Sequence, residues 1–370
     1  MELTFLHDLV TDPGPFATVY LDASHDTEDA AHALELRWQG LRHELETQGA
    51  DGPTLAALDA AVAEADPPVG RAGRVLVAAH GDVLLDRTLP EPPAAPLATW
   101  GPVPDLVPML REQPEPLTTV VVRVDKTGGE LYLARPGDVP RPVADVEGSD
   151  HPIHKVRGGG WAHLNMQERV EEVWRRNAAE VAERVDRLVS SSGARLVVLA
   201  GEAQSRARLF DALSPRSAEI TVQVEHTGGP ETGLDDLAAA VDEAAHDAIE
   251  ADRAAVRERF EKAAQRPDGL AVDGLQGVLT ALRAEQVDTL LLDGTAARDV
   301  TVWIGEVPSQ VATDADELRA LGGEPTAQVP ADAALLRAAA ATGAAFAPLD
   351  GEGVTDGVAA LLRYPLVTGA

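Results

Sequence analysis

The sequence predicts an α/β chain made of three successive units, and three observations carry that reading. Two short apolar runs, Arg195-Leu-Val-Val-Leu-Ala200 and Thr289-Leu-Leu-Leu-Asp293, have the character of strands covered on both faces. Each follows a stretch whose apolar residues recur three and four apart, the spacing of an amphipathic helix. Finally, residues 90–116 hold nine prolines, which interrupt regular structure and mark a boundary.

Taken in order, Ala17-Thr-Val-Tyr-Leu-Asp22 reads as a strand and Glu28–Glu46 as a helix with Leu34, Trp38, Leu41 and Leu45 on one face. Thr54–Ala65 reads as a second helix, stopped by Pro67-Pro68. Arg74–Ala79 and Val83–Leu89 read as strands joined hairpin-fashion across His80-Gly81-Asp82. The proline run leaves room for one short helix near Leu106–Leu110. Thr118–Val124 and Glu130–Ala134 then form a hairpin in which Gly128 and Gly129 are expected to supply a positive φ.

Next comes a helix of about 28 residues, with Met166, Val170, Val173, Trp174, Val181, Val185 and Leu188 in one apolar stripe. Trp174 is expected in the core, and Ser190–Gly193 ends the helix. Strand Arg195–Ala200, a helix starting near Ser205, strand Thr221–Val224 and a charged, Ala-rich helix from Gly233 to Ala264 complete the middle unit. The last unit reads as helix Asp273–Glu285, strands Thr289–Asp293 and Thr301–Ile304, and short helices Leu335–Thr342 and Val354–Leu362. The expected boundaries are therefore 1–116, 117–265 and 266–370.

Composition narrows the function classes. With 45% hydrophobic and 25% charged residues, the chain is globular. No apolar run reaches the roughly 18–20 residues a membrane span needs, and the absence of cysteine rules out disulfides and thiolate metal sites. A cytoplasmic protein is the expectation. The balance of 61 acidic to 31 basic side chains, a formal net charge of −30, opposes non-specific nucleic-acid binding through the whole surface. Any contact with a polynucleotide must be local.

One stretch reverses that sign. In His151-Pro-Ile-His-Lys-Val-Arg-Gly-Gly-Gly-Trp-Ala-His163, Lys155 and Arg157 precede three glycines, and no acid occurs from 151 to 167. Gly158, Gly159 and Gly160 have no side chains to pack, which suits a sharply bent tip or a backbone approached closely by another molecule. A nucleotide-binding turn fits poorly, because no strand leads in directly and neither GxGxxG nor GxxxxGK[ST] occurs. His151, His154 and His163 form no convincing zinc set, and no GxSxG elbow points to a triad. Trp161 is either buried or free to stack on an unpaired base. Neither metal nor cofactor is expected.

The order of these parts resembles the class 1 peptide release factors of eukaryotes and archaea and their relative Pelota. Thr119-Val-Val-Val-Arg-Val-Asp125 with Gly128-Gly129 is similar to the strand pair opening that family's central domain. Arg157-Gly-Gly-Gly-Trp161 lies where the family carries its Gly-Gly-Gln loop, and the spacing to Val181-Ala-Glu183 matches. Leu196-Val-Val-Leu-Ala-Gly201, Gly274-Leu-Gln-Gly-Val-Leu-Thr-Ala-Leu282, Val287-Asp-Thr-Leu-Leu-Leu292, Ala340-Ala-Thr-Gly343 and Gly357-Val-Ala-Ala-Leu-Leu-Arg-Tyr364 continue the likeness. It covers 117–370 by motif and 1–116 by position only.

The resemblance implies a three-domain, Pelota-like α/β architecture, with a glycine loop and long helix in the centre and an L7Ae-like α/β sandwich at the C-terminal end. It also implies binding to the ribosome. In place of the family's catalytic glutamine stands Trp161, after glycines Gly159 and Gly160, and an indole has one donor and no acceptor amide. Residues 1–116 lack the Asn-Ile-Lys-Ser stop-codon motif. The chain most resembles a bacterial branch that includes the ribosome hibernation factor Balon. That implies a tRNA-like stress-response factor, a non-enzymatic occupant of the A site whose 151–163 loop faces the peptidyl-transferase centre. Its expected partners are ribosomal RNA and elongation factor Tu, with no membrane and no DNA. Lys155, Arg157, Gly158, Gly159, Gly160, Trp161 and His163 are the expected contacts. Two alternatives stay open: a peptidyl-tRNA hydrolase or nuclease using His163 or Gln167, and an interaction module that has left the ribosome.

Overall fold

A computed structural model of the chain describes residues 1–25, 29–64, 70–112, 117–134, 140–147, 161–225, 234–266, 269–349 and 353–365. They divide into two compact units, one formed by 1–113 together with 253–370 and the other by 114–252. The described residues contain no helix long and apolar enough to cross a membrane.

The first unit opens with a 3-10 turn, Thr4–Leu6, and helix α1 (His7–Thr11). Strand β1 (Phe16–Asp22), helices α2 (Ala30–Gln48) and α3 (Gly52–Ala63), strands β2 (Gly73–Ala79), β3 (Asp82–Leu89) and β4 (Leu97–Gly101), and helix α4 (Val107–Glu112) follow. The strands make an antiparallel sheet in the order β3-β2-β1-β4. The β2–β3 hairpin turns through His80 and Gly81, both at positive φ, as a two-residue turn of the primed type requires. Strand β4 is absent from the sequence reading; its flanking prolines, Pro96 and Pro102, stand outside the ladder at an edge, where they remove no needed donor. Ala17, Val19 and Leu21 of β1 pack under Leu34, Trp38, Leu41 and Leu45 of α2 and Leu58 of α3.

The second unit contains strands β5 (Thr119–Val124), β6 (Gly128–Ala134) and β7 (Arg141–Glu147), helix α5 (Trp161–Ser192) and strand β8 (Leu196–Gly201). Helices α6 (Ala203–Ala212) and α7 (Pro215–Glu219) and strand β9 (Thr221–Glu225) lead into α8 (Leu234–Ala264). The sheet runs β7-β6-β5-β8-β9, with β5, β8 and β9 parallel to one another and β6 and β7 antiparallel to their neighbours. Period-two alternation divides its side chains between two cores. Val120, Val122, Val197 and Leu199 pack under α5 and α6, while Val121, Leu196 and Val198 pack against Leu237, Val241 and Ile249 of α8.

The chain returns to the first unit with β10 (Ala271–Asp273), α9 (Leu275–Arg283), β11 (Val287–Leu292), β12 (Thr301–Ile304), β13 (Val311–Ala312), α10 (Ala315–Ala320), β14 (Ala327–Pro330), α11 (Ala331–Ala341), β15 (Ala345–Pro348) and β16 (Val358–Leu362). The last of these corrects the sequence reading. Val358–Leu362 is a buried inner strand in the order β10-β16-β11-β15, preceded only by a 3-10 turn, Thr355–Gly357, and is no helix. A continuous five-residue apolar run has no period of its own, so its partners decide its conformation.

The segments 1–113 and 253–370 share one hydrophobic core, in which Leu3, Leu6, Tyr20, Leu106 and Leu110 adjoin Leu279, Leu290, Leu335 and Phe346. Glu2 bridges Ala345 in the backbone ladder. Arg298 makes two hydrogen bonds to the Asp105 carboxylate and lies 3.5 Å from the fully buried Asp332. Arg337, also buried, donates to the carbonyls of Val10, Gly305 and Glu306, and burial pulls its pKa below the ordinary value.

Candidate functional site

The basic glycine tip singled out in the sequence falls mostly outside the described residues: Lys155, Arg157, Gly158, Gly159 and Gly160 all do, as do His151 and His154. Trp161 and His163 are described as backbone only, in the first turn of α5, which contains no acid. The tip therefore connects without interruption to the N-terminus of a 32-residue helix. The first N–H groups of a helix have no intrahelical partner and the dipole places positive charge at that end, a setting that favours anions.

How that helix is held can be built up from the sheet. Strand β5 ends at Val124 and the chain turns through Asp125, Lys126 and Thr127. Asp125 makes this turn: its Oδ1 accepts from the backbone N–H of Thr127 (2.6 Å) and Gly128 (3.0 Å) and from the Thr127 hydroxyl (2.6 Å). Partial burial pushes the Asp125 carboxyl upward, but these bonds and the charge of Arg123 outweigh it and leave its pKa below the usual carboxylate value. Among the described glycines, neither Gly128 nor Gly129 has a positive φ, contrary to the hairpin expectation. Gly129 is needed for space: a Cβ there would meet the methyl groups of Val181 on α5 at 3.0 and 3.2 Å.

Gly201, at the end of β8, is required for both reasons. Its φ is 132°, and a Cβ would lie 2.0 Å from the carbonyl oxygen of Val124, its register partner on β5. The close approach brings the β5–β6 turn beside the start of α6. Lys126 pairs with Glu202 at 3.0 Å. The Lys126 ammonium lies 5.5 Å, and the Arg208 guanidinium of α6 4.9 Å, from the centroid of the Trp174 ring. One turn further along α5, the buried Asn177 donates to the carbonyls of Lys126 (3.3 Å) and Thr127 (3.4 Å). From Val181 to Val189 the helix is held by the apolar core.

Trp174 thus departs from the core position expected of it. It is half-buried and sits under two cations, because at this point the stripe has run past the sheet onto the turn and the start of α6. Spacing alone could not separate the two outcomes, since tryptophan has an apolar body and suits either place. The sequence signal for the cluster was slight, though Lys126 is one of only three lysines in the chain. Among the described residues no group of three His, Asp or Glu side chains is placed to hold a metal ion.

Residues 118–266 match the family described as bacterial archaeo-eukaryotic release factor family 2. An uncharacterized protein of Mycobacterium tuberculosis strain H37Rv is 36% identical over 363 residues, covering 96% of this chain and 95% of the relative. The same protein in strain CDC 1551 matches equally. Among solved structures, Archaeoglobus fulgidus Pelota is similar at 14% identity and a TM-score of 0.38, covering 99% of this chain and 92% of Pelota. Saccharomyces cerevisiae Dom34, a translation termination-like factor, is similar at 13% identity and a TM-score of 0.40, covering 86% and 78%.

Proposed function

We propose that this chain, which belongs to the bacterial archaeo-eukaryotic release factor family, is a cytoplasmic ribosome-binding translation factor that occupies the A site without hydrolysing peptidyl-tRNA. Segment 1–116 faces the decoding centre. The 151–163 tip, carried by the central segment 117–265, reaches toward the peptidyl-transferase centre, and 266–370 is the third segment, which shares a core with the first. Hibernation or rescue of idle ribosomes under stress, beside elongation factor Tu, is the setting this reading implies.

The observation that carries it is the cationic Lys155–Arg157 pair and three glycines, directly before a 32-residue helix and within the segment that matches the family, on a chain of net charge −30. A strongly anionic body gains affinity for polynucleotide only where acids are absent and cations are concentrated. Trp161, in the family's glutamine position, cannot offer the side-chain amide that helps position water, so the tip binds without catalysing.

Co-sedimentation with purified ribosomes tests the reading. The double change Lys155→Glu, Arg157→Glu is expected to weaken binding more than about tenfold and to lower the slope of log K against log salt by about 2. Wild-type protein that stays wholly soluble at low salt would sink it. With stalled ribosome–nascent-chain complexes no peptide release is expected. Release that is abolished by His163→Ala would restore the hydrolase alternative.

A further inference from the structure

The described anchorage of α5 is uneven along its length, and this has a mechanical consequence. Val181, Ala182, Val185 and Val189 fix the helix to the sheet by apolar burial. N-terminal to them, the described ties change character: Asn177 grips the carbonyls of the β5–β6 turn, and Trp174 lies beneath Lys126 and Arg208. Trp174 lies thirteen positions after Trp161, the first residue of the helix. That is an arm of about 20 Å, so a tilt of about 10° at Trp174 displaces its end by about 3–4 Å. A contact group displaced by even about 1 Å loses much of its effect.

We propose that Trp174, held by Lys126 and Arg208, is a positioning residue that fixes the direction of the N-terminal half of α5 and thereby aims the glycine tip joined to it. This rests on the reading of the tip as the ribosome-contacting element. Three elements meet at the indole: the turn after β5, the first turns of α6, and α5 itself. Each cation–π contact is individually weak at a partly exposed site. Their value is directional, because the two cations come from different elements, the turn after β5 and helix α6. Glu202, ion-paired to Lys126, and Asp125, which shapes the turn, hold the lysine in place.

Trp174→Leu keeps the apolar bulk and removes the π face. The expected result is an unchanged circular dichroism spectrum, with amide hydrogen exchange across 161–173 accelerated at least about fivefold relative to 181–189. Trp174→Phe, which keeps a ring, is expected to restore much of the protection. Ribosome binding is expected to weaken roughly tenfold in the wild-type background, with no further loss when Lys155 and Arg157 are already Glu. Unchanged exchange across 161–173 overturns the proposal. So does a binding loss that adds to that of the tip changes, since Trp174 would then be an independent contact. Should Trp174→Leu fail to fold, Arg208→Gln, which leaves the indole in place, carries the same exchange test. If the wild-type protein binds no ribosomes, the functional reading fails and exchange alone decides whether Trp174 braces the helix.

Discussion

Among the described residues, Asp332 is a side chain whose chemistry its surroundings alter strongly. It lies at the start of α11, is fully buried, and shares Arg298 with Asp105 where segments 1–113 and 253–370 meet. Burial pushes its pKa up to about 6 from 3.8, and the negative charge of Asp105 adds to the rise. The Ala333 N–H and the Arg298 charge oppose it. A folded-state pKa above the unfolded one means that the native state binds the proton more tightly. The group's stability contribution is therefore complete below pH 4 and is lost as pH rises through 6. At about 1.4 kcal/mol per unit, ionised Asp332 costs about 3 kcal/mol at pH 7. Asp332→Asn mimics the protonated form and keeps an acceptor for Ala333. Urea unfolding of both proteins from pH 4 to 7.5 gives the stability difference, in which carboxylates not coupled to Asp332 cancel. The variant should match wild type near pH 4 and exceed it by up to about 3 kcal/mol at pH 7. A difference that is constant with pH, or a variant less stable at pH 7 than at pH 4 relative to wild type, would refute the reasoning.

Three other substitutions test the second unit. Gly201→Ala places a Cβ 2.0 Å from the Val124 carbonyl at a φ of 132°, so loss of the folded unit is expected, seen as a collapse of its thermal transition. Gly129→Ala presses on Val181 at 3.0 Å and should cost about 1–3 kcal/mol. Most of that should return in the Gly129→Ala, Val181→Ala double variant beyond what additivity predicts, measurable by a double-mutant cycle in urea. Asp125→Ala removes three hydrogen bonds from the β5–β6 turn and should cost about 1–3 kcal/mol at pH 7. Because the pKa of Asp125 is depressed in the fold, its contribution is present above the unfolded value of 3.8 and disappears as pH falls below it, so the two proteins should converge in acid.

The candidate site was legible to different degrees for physical reasons. The tip, whose residues lie mostly outside the described ones, is singled out by composition alone, because a run without acids is conspicuous in so acidic a chain. The cluster behind it is not. Lys126, Trp174, Asn177 and Arg208 are as much as 82 residues apart in sequence and meet only because Gly201 lets β8 come tightly beside β5. Gly129 looked like a turn glycine and is in fact a packing glycine, a distinction set by Val181 across the layer.

The same division holds for the fold. The α/β layering was already written in the residue pattern, since Leu196–Gly201 and Leu290–Leu292 are apolar runs that need cover on both faces. That pattern also determined the long helices α5 and α8, whose length lets a weak period accumulate into a clear stripe. Long-range contacts are what make Val358–Leu362 a strand, bring Leu97–Gly101 into the first sheet, and join segments 1–113 and 253–370 in one core. Runs of two to five residues carry too little periodic signal to fix their own conformation. They take it from strands and helices far away in sequence, and those neighbours exist only once the chain has folded.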